Sequence, residues 1–209
     1  MLSFLQKYAS PGRYSQNGET GILNEALRRM GIDKGRCIEI GANDGCYCSN
    51  TAELIEKGWS GLFVEVDYNL YRQCVSNWKH NPLVRCQCSR VDENNVNAFV
   101  DERCDLLSLD TDGSDYRIFH VLKAKPKIVI IEIDSSYPPN VIAFNPNGAG
   151  TYRNTVELGI EKGFFLLVHT GNIVLIANEY RHLFSEVIGN GLSNAELYFN
   201  RAWLQESVT

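Results

Sequence analysis

The sequence predicts an α/β fold: a mostly parallel sheet covered by helices on both faces and closed by a terminal antiparallel pair. Three observations predict it. Short apolar runs alternate with segments of helical spacing from residue 19 to residue 162. Glycine or proline marks many of the joins between them. Two last apolar runs, 164–169 and 173–177, are separated by Thr170-Gly171-Asn172, the spacing of a hairpin.

Each element follows in order. Residues 19–30 set Ile22, Leu23, Ala26, Leu27 and Met30 on one helical face, and Gly31 ends that helix. The first strand contains Cys37-Ile38-Glu39-Ile40. A helix over 50–57 carries Ala52, Leu54 and Ile55; Gly58 and Gly61 bracket the turn into a second strand at 61–65. Residues 68–79 read as helix. Asn81-Pro82 precedes a third strand at 83–91, followed by a short helix at 94–102. A fourth strand at 105–110 leads to a helix at 115–123. Lys125-Pro126 precedes a fifth strand at 127–133, and a helix over 152–162 stops at Gly163. Trp59 and Trp78 read as helix-to-sheet packing, and His120 as structural within its helix. The one large loop is 135–152. Long loops inside compact domains are usually functional, so Tyr137 and Asn140 are candidates to line an acceptor pocket.

A chain of 209 residues predicts a single domain over 1–209, with its core at 14–177 and a tail at 178–209 that holds Trp203. A content of 44% hydrophobic and 22% charged residues fits a globular protein and argues against a disordered one. The net charge of −5 argues against a nucleic-acid partner, whose footprint is a basic patch. No apolar run approaches the roughly 18 residues that span a bilayer, so no membrane role is expected. The first residues lack the basic flank and apolar core of a signal peptide. Seven cysteines are present. Cys37, Cys86 and Cys88 fall on strands and are expected to be buried thiols. Cys46-Tyr47-Cys48 could offer two metal ligands, but no second pair completes a tetrahedral set. Free thiols point to a reducing cytoplasm.

The chemistry-bearing stretch is Cys37-Ile38-Glu39-Ile40-Gly41-Ala42-Asn43-Asp44-Gly45, a strand running into a glycine-bearing turn. Glu65 ends the next apolar run. Glycines let a backbone approach a ligand closely, and an acid after the second strand can accept hydrogen bonds from ribose hydroxyls. The spacing is not the G-x-G-x-x-G of dinucleotide sites, which disfavours an NAD-linked oxidoreductase. Asn43 and Asp44 would crowd and repel a pyrophosphate; a zwitterionic or cationic ligand suits the turn better. Ligands of open α/β sheets bind at the carboxyl ends of the strands. Asp110 and Glu132 end the fourth and fifth strands and are expected side by side. They could act as general base, as ligands of a hard divalent cation, or as support for a cationic cofactor. Asp115 reads as a helix cap. Asp110-x-Asp112-x-x-Asp115 is no calcium loop, because the twelfth position is Val121 rather than glutamate. His169, after the sixth strand, reads as a turn histidine.

The turn resembles motif I of the class I S-adenosylmethionine (SAM) methyltransferases. Asp105-Leu-Leu-Ser-Leu-Asp110-Thr-Asp112-Gly113-Ser-Asp115-Tyr116, with Ile40-Gly41-Ala42-Asn43-Asp44-Gly45, is similar to the FkbM-type branch of that family. Tyr14-Ser15-Gln16-Asn17-Gly18-Glu19 and Val91-Asp92-Glu93-Asn94-Asn95-Val96 resemble further segments of the same branch. The resemblance implies a Rossmann-like class I methyltransferase fold of seven strands with SAM as cofactor. It implies that Glu39, Gly41, Ala42, Asn43, Asp44 and Gly45 face the methionine part and that Glu65 and Val66 lie at the ribose. Ser89, Arg90 and Val91 would border the adenine, and Asp110 would lie near the sulfonium as base or metal ligand, with Glu132 beside it. It also implies O-methyl transfer to a small-molecule acceptor, a sugar or natural product. Asn43 departs from the general motif, and Glu132-Ile133-Asp134-Ser135-Ser136 departs from the expected strand end. A SAM-binding module without methyl transfer is the alternative from another class.

Overall fold

The computed structural model describes residues 4–144 and 146–188. Its centre is a seven-stranded sheet in the order β3-β2-β1-β4-β5-β7-β6. The strands are β1 (Arg36–Ile40), β2 (Ser60–Glu65), β3 (Val84–Cys88), β4 (Leu106–Leu109), β5 (Ile128–Glu132), β6 (Phe164–His169) and β7 (Asn172–Ala177). β1 to β5 run parallel, and β7 lies antiparallel between β5 and β6. This is the predicted Rossmann-like arrangement with its terminal hairpin. β4 and β5 sit in the middle of the sheet, and nearly every residue on them is buried on both faces.

The helices divide between the two faces. α1 (Phe4–Tyr8), α2 (Glu19–Met30), α3 (Ala52–Glu56) and α4 (Tyr68–Trp78) cover one face, together with a 3-10 helix at Asn178–Phe184 and α8 (Ser185–Ile188). α5 (Val96–Phe99), α6 (Asp115–Val121) and α7 (Tyr152–Glu161) cover the other. α2 stops at Gly31, whose left-handed φ of 67° closes the last turn onto the Arg28 carbonyl. α4 starts at Asp67, whose Oδ1 accepts the Asn69 and Leu70 amides at 2.8 and 3.0 Å. Such a cap contributes about 1 kcal/mol. Among the described residues no helix is long and apolar enough to cross a membrane.

Four expectations change. The helix expected at 94–102 shrinks to α5, because Asp92 and Asn95 spend their side chains on a local turn that replaces the first helical turn. The 135–152 loop is not open throughout: the Asp134–Thr151 and Phe144–Gly150 bridges fold it back, and Thr151 Oγ1 donates to the Val141 carbonyl at 2.7 Å. Cys86 is only half-buried and Cys88 is exposed, contrary to the buried thiols expected there. β3 is an edge strand, so one flank and part of each face stay open; Cys37 is fully buried as expected. The segment assigned to a tail forms helix up to residue 188, with Phe184 buried between Phe4 and Phe165. Trp203 lies outside the described residues.

Candidate active site

A pocket of about 300 Å³ opens at the carboxyl ends of β1, β2 and β4. Its walls include Glu39, Gly41, Ala42, Asn43, Glu65, Val66, Ser89, Arg90, Val91 and Asp110, all candidates from the sequence. Asp44 and Gly45 complete the turn behind it. Gln16, Tyr47, Cys48, Leu70, Thr111, Asp112 and Ser114 also line it, and the sequence reading assigned none of them a site role. One geometric signal marks this place independently. Asn43, Cys48 and Asp112 are the non-glycine residues with left-handed backbone among the described residues, at φ of 52°, 58° and 56°. All three line this pocket. Such strain persists where the surroundings over-determine it, and it clusters at functional sites.

The turn after β1 is held from every side. The Gly41 and Ala42 amides donate to the Val64 carbonyl at 2.9 and 3.1 Å. Glu65 Oε2 accepts the Asn43 amide at 2.7 Å, and Oε1 accepts the Asp67 amide at 2.8 Å. Asp44 Oδ1 accepts the amides of Cys46 and Tyr47. Gly41 has φ of 82°, and a Cβ there would sit 1.5 Å from the Asp110 carbonyl oxygen. Its missing side chain makes room for the end of β4. At Gly45 the space is taken by Cys74 Sγ and the Trp78 indole, whose Nε1 donates to the Gly45 carbonyl at 2.9 Å. Trp78 is therefore more than packing: it pins the turn from α4. The sequence carries no local sign of that bond, which joins residues 33 positions apart.

Glu39 faces inward from β1 and is 4% exposed. Its carboxylate accepts Ser49 Oγ and Thr51 Oγ1 at 2.6 Å each and the Asn50 amide at 2.9 Å, so it fastens the segment leading into α3. Burial pushes its pKa up, and those three donors pull against that.

Asp110 and Glu132 end adjacent parallel strands and do come together. Their carboxylate oxygens and those of Asp112 lie within 4.8 Å of one another. Asp110 opens onto the pocket, so much of its surface is free, yet enough protein surrounds the carboxylate to desolvate it. That desolvation raises its pKa, and the hydrogen bond from Glu132 offsets part of the rise. Burial, then the Asp110 charge, push Glu132 up to about 8. Of the two, Glu132 is therefore the acid that keeps a proton at neutral pH, beside the Asp110 carboxyl. Asp115 is not a helix cap in the expected sense. It is buried, accepts Thr111 N and Oγ1 at 2.8 and 3.0 Å, and burial lifts it to about 6. His169 is fully buried at the end of β6, edge-on to Tyr152 and 3.4 Å from Ser135 Oγ.

The Glu132 proton has a consequence for stability. The folded chain holds it from the ordinary carboxylate value of 4.5 up to about 8, where the unfolded chain has lost it. Stability therefore falls as pH rises through that window, and the cost is complete above it. Glu132→Gln removes the titration. Its melting temperature relative to the parent is expected to rise from pH 5 to pH 9, measured by calorimetry in one buffer series. Parallel curves for the two proteins would contradict the shared proton.

Comparison with known proteins bears on the fold. No family model matches the sequence, and no curated protein sequence does. Solved structures match its shape. The Escherichia coli protein yhhF, a proposed methyltransferase, superposes with a TM-score of 0.51 at 12% identity, over 81% of this chain and 89% of its own. The CurJ carbon methyltransferase gives 0.52 at 13% identity, over 78% of this chain and 56% of its own. Aeropyrum pernix fibrillarin, solved with natively bound S-adenosyl-L-methionine, gives 0.50 at 14% identity over 74% of each chain. At such identities the likeness is one of fold. The chain has the Rossmann-like fold seen in these proteins, and its strained, acid-rimmed pocket lies at the carboxyl ends of the parallel strands.

Proposed function

We propose that the protein is a SAM-dependent methyltransferase of the FkbM-type branch that methylates a hydroxyl of a small acceptor, a sugar or natural product, in the cytoplasm. The observation that carries this reading is a convergence at one mouth: the Gly41–Asn43 backbone, the Glu65 carboxylate and the Asp110–Glu132 pair border a single pocket or its rim. The donor set fits the cofactor. Each Glu65 oxygen accepts one backbone amide and keeps lone pairs for ribose hydroxyls. Val66, Leu70 and Val91 offer apolar surface to a planar base, beside Ser89 and Arg90. The acids at the rim suit a positive sulfonium, and no pyrophosphate would be drawn to them. When bound, SAM supplies an electrophilic methyl group.

The chain's own residues do the rest. Asp110, ionised beside a protonated Glu132, accepts the proton of an acceptor hydroxyl as its oxygen attacks. The Asp110 carboxylate is held in place by the end of β4, whose backbone packs against Gly41. In-line transfer needs mainly position and a nearby base. A hard divalent cation is the second reading of the same acids. Asp110, Asp112 and Glu132 would ligate it, and the Glu132 proton would leave. Chelator sensitivity restored by magnesium would favour the cation, and indifference to chelator the base.

S-adenosylhomocysteine is expected to bind and raise the melting temperature by mass action. Glu65→Ala should weaken that binding by about 1.5–3 kcal/mol, the scale of hydrogen bonds to a charged group. Titration calorimetry tests both. Binding of NAD without binding of S-adenosylhomocysteine would overturn the reading.

A further inference from the structure

The face of the sheet under α5 is only partly covered, because α5 has four residues. Arg85 pairs with Leu62 and Gln87 with Val64 across β3 and β2, and Val64 packs in the cluster that holds Val96 of α5. Paired residues of neighbouring strands point to one face, so Arg85 and Gln87 lie on the α5 face as well. They floor an open groove of about 690 Å³. The groove reaches Arg36 and Ser60, the first residues of β1 and β2, so it lies toward the amino ends of the strands, away from the carboxyl ends that form the first pocket. Leu62, Phe99, Pro82 and Leu83 give it apolar walls, and Leu83 is 46% exposed. Its charged residues are Arg36, Arg85, Arg103 and Asp101. Asp101 Oδ1 accepts Arg36 Nη1 and Oδ2 accepts Arg103 Nη2, at 2.6 Å each. Among the described residues the Arg85 and Gln87 side chains make no hydrogen bond or ion pair. Three guanidiniums therefore face one carboxylate whose two oxygens are already engaged, which leaves two positive charges in excess.

We propose that this groove binds a small organic phosphate, a monoester whose body carries an apolar ring. The charge balance selects the head group. A phosphate monoester carries about −1.5 to −2 charges at neutral pH and presents acceptor oxygens. One such group matches the excess of the groove, whereas a single carboxylate would balance half of it. Arg85 supplies an unused fork of N–H donors, which meets two phosphate oxygens in parallel. Arg36 and Arg103 keep N–H groups beyond those given to Asp101, and Gln87 adds an amide donor on the same face. The walls select the body. Leu62, Leu83 and Phe99 hold apolar surface beside the guanidiniums, and a ring that covers it takes that surface out of water. The volume lies within the range of about 300–1,000 Å³ of small-ligand sites. A nucleic acid would draw on a basic stripe longer than this groove, and the net charge of the chain is −5.

Titration calorimetry of the intact chain with 1-naphthyl phosphate tests this, with inorganic phosphate and 1-naphthol as the two halves of the probe. The ester is expected to bind at one equivalent and at least about tenfold more tightly than either half. Arg85→Gln should weaken the ester about tenfold or more, the loss of a charged hydrogen-bonding fork. Arg85 is exposed, so the variant should keep the melting temperature of the parent. Leu83→Ser should weaken the ester about threefold or more and leave inorganic phosphate unchanged. Arg90→Gln, which alters an arginine of the first pocket instead, should bind the ester as the parent does. The proposal is overturned if the ester does not bind, if inorganic phosphate binds as tightly, or if Arg85→Gln binds like the parent. Loss of the ester in Arg90→Gln would move the phosphate to the first pocket and overturn it too. A single-stranded oligoribonucleotide that displaces the ester at far lower concentration would make the groove a nucleic-acid surface and overturn the small-ligand assignment.

Discussion

Asp110→Asn is expected to lower turnover on a verified acceptor about a hundredfold or more, the usual range for a lost general base. Asparagine keeps the shape of the side chain and can still accept the hydrogen bond from Glu132, so the β4 end stays in place. Cofactor affinity is expected to change little, because the residues placed at ribose and methionine belong to β1, β2 and the turn between β1 and α3. The two quantities are read separately: turnover with excess acceptor, and S-adenosylhomocysteine affinity by calorimetry. Turnover close to that of the parent would remove Asp110 from the chemistry, as base and as metal ligand alike.

Gly41→Ala is expected to destabilise the fold by about 3 kcal/mol or more, and with it the pocket. Two costs add. The residue holds φ of 82°, where an L side chain is strained by about 1–2 kcal/mol. The new Cβ would also lie 1.5 Å from the Asp110 carbonyl oxygen and 2.6 Å from its carbon. Those are backbone atoms, so no rotamer change relieves the contact. Either the turn lets go of the Val64 carbonyl or the end of β4 moves, and both disturb the mouth of the pocket. Gly31→Ala is the control: its φ is 67°, but nothing lies within 4 Å of the added Cβ. It should show the strain alone. Urea denaturation of the two variants tests this, and equal losses would mean that the close approach to Asp110 carries no cost.

Much of the molecule was legible from local pattern. The apolar runs, the helical spacing of Ile22, Leu23, Ala26, Leu27 and Met30, and the Thr170-Gly171-Asn172 turn correspond to β-strands, α2 and the β6–β7 hairpin. The adjacency of Asp110 and Glu132 was legible too. Successive strands joined by a helix lie side by side in most α/β sheets, and β4 and β5, joined through α6, do so here. Boundaries were less legible. Asp92 and Asn95 could equally cap a helix or fold a local turn, and here their side chains bond the Asn94 and Asp92 amides within that turn.

The sequence by itself determined the α/β class, the terminal hairpin, the place of the glycine turn and the acids that end the strands. These follow from period, from backbone freedom at glycine and from chain order, all of which are local quantities. Tertiary structure alone decided what fills the space at the glycines and which groups share a proton. Gly41 makes room for a carbonyl nearly seventy positions away, and Gly45 for Trp78 and Cys74. The Glu132 proton exists because desolvation and the Asp110 charge act together at one point. The exposure of Cys88 came from strand order: Val-Arg-Cys-Gln-Cys reads alike on any strand, and only the place of β3 at the sheet edge leaves it open. Distances between residues far apart in sequence set each of these, and no local pattern encodes such distances.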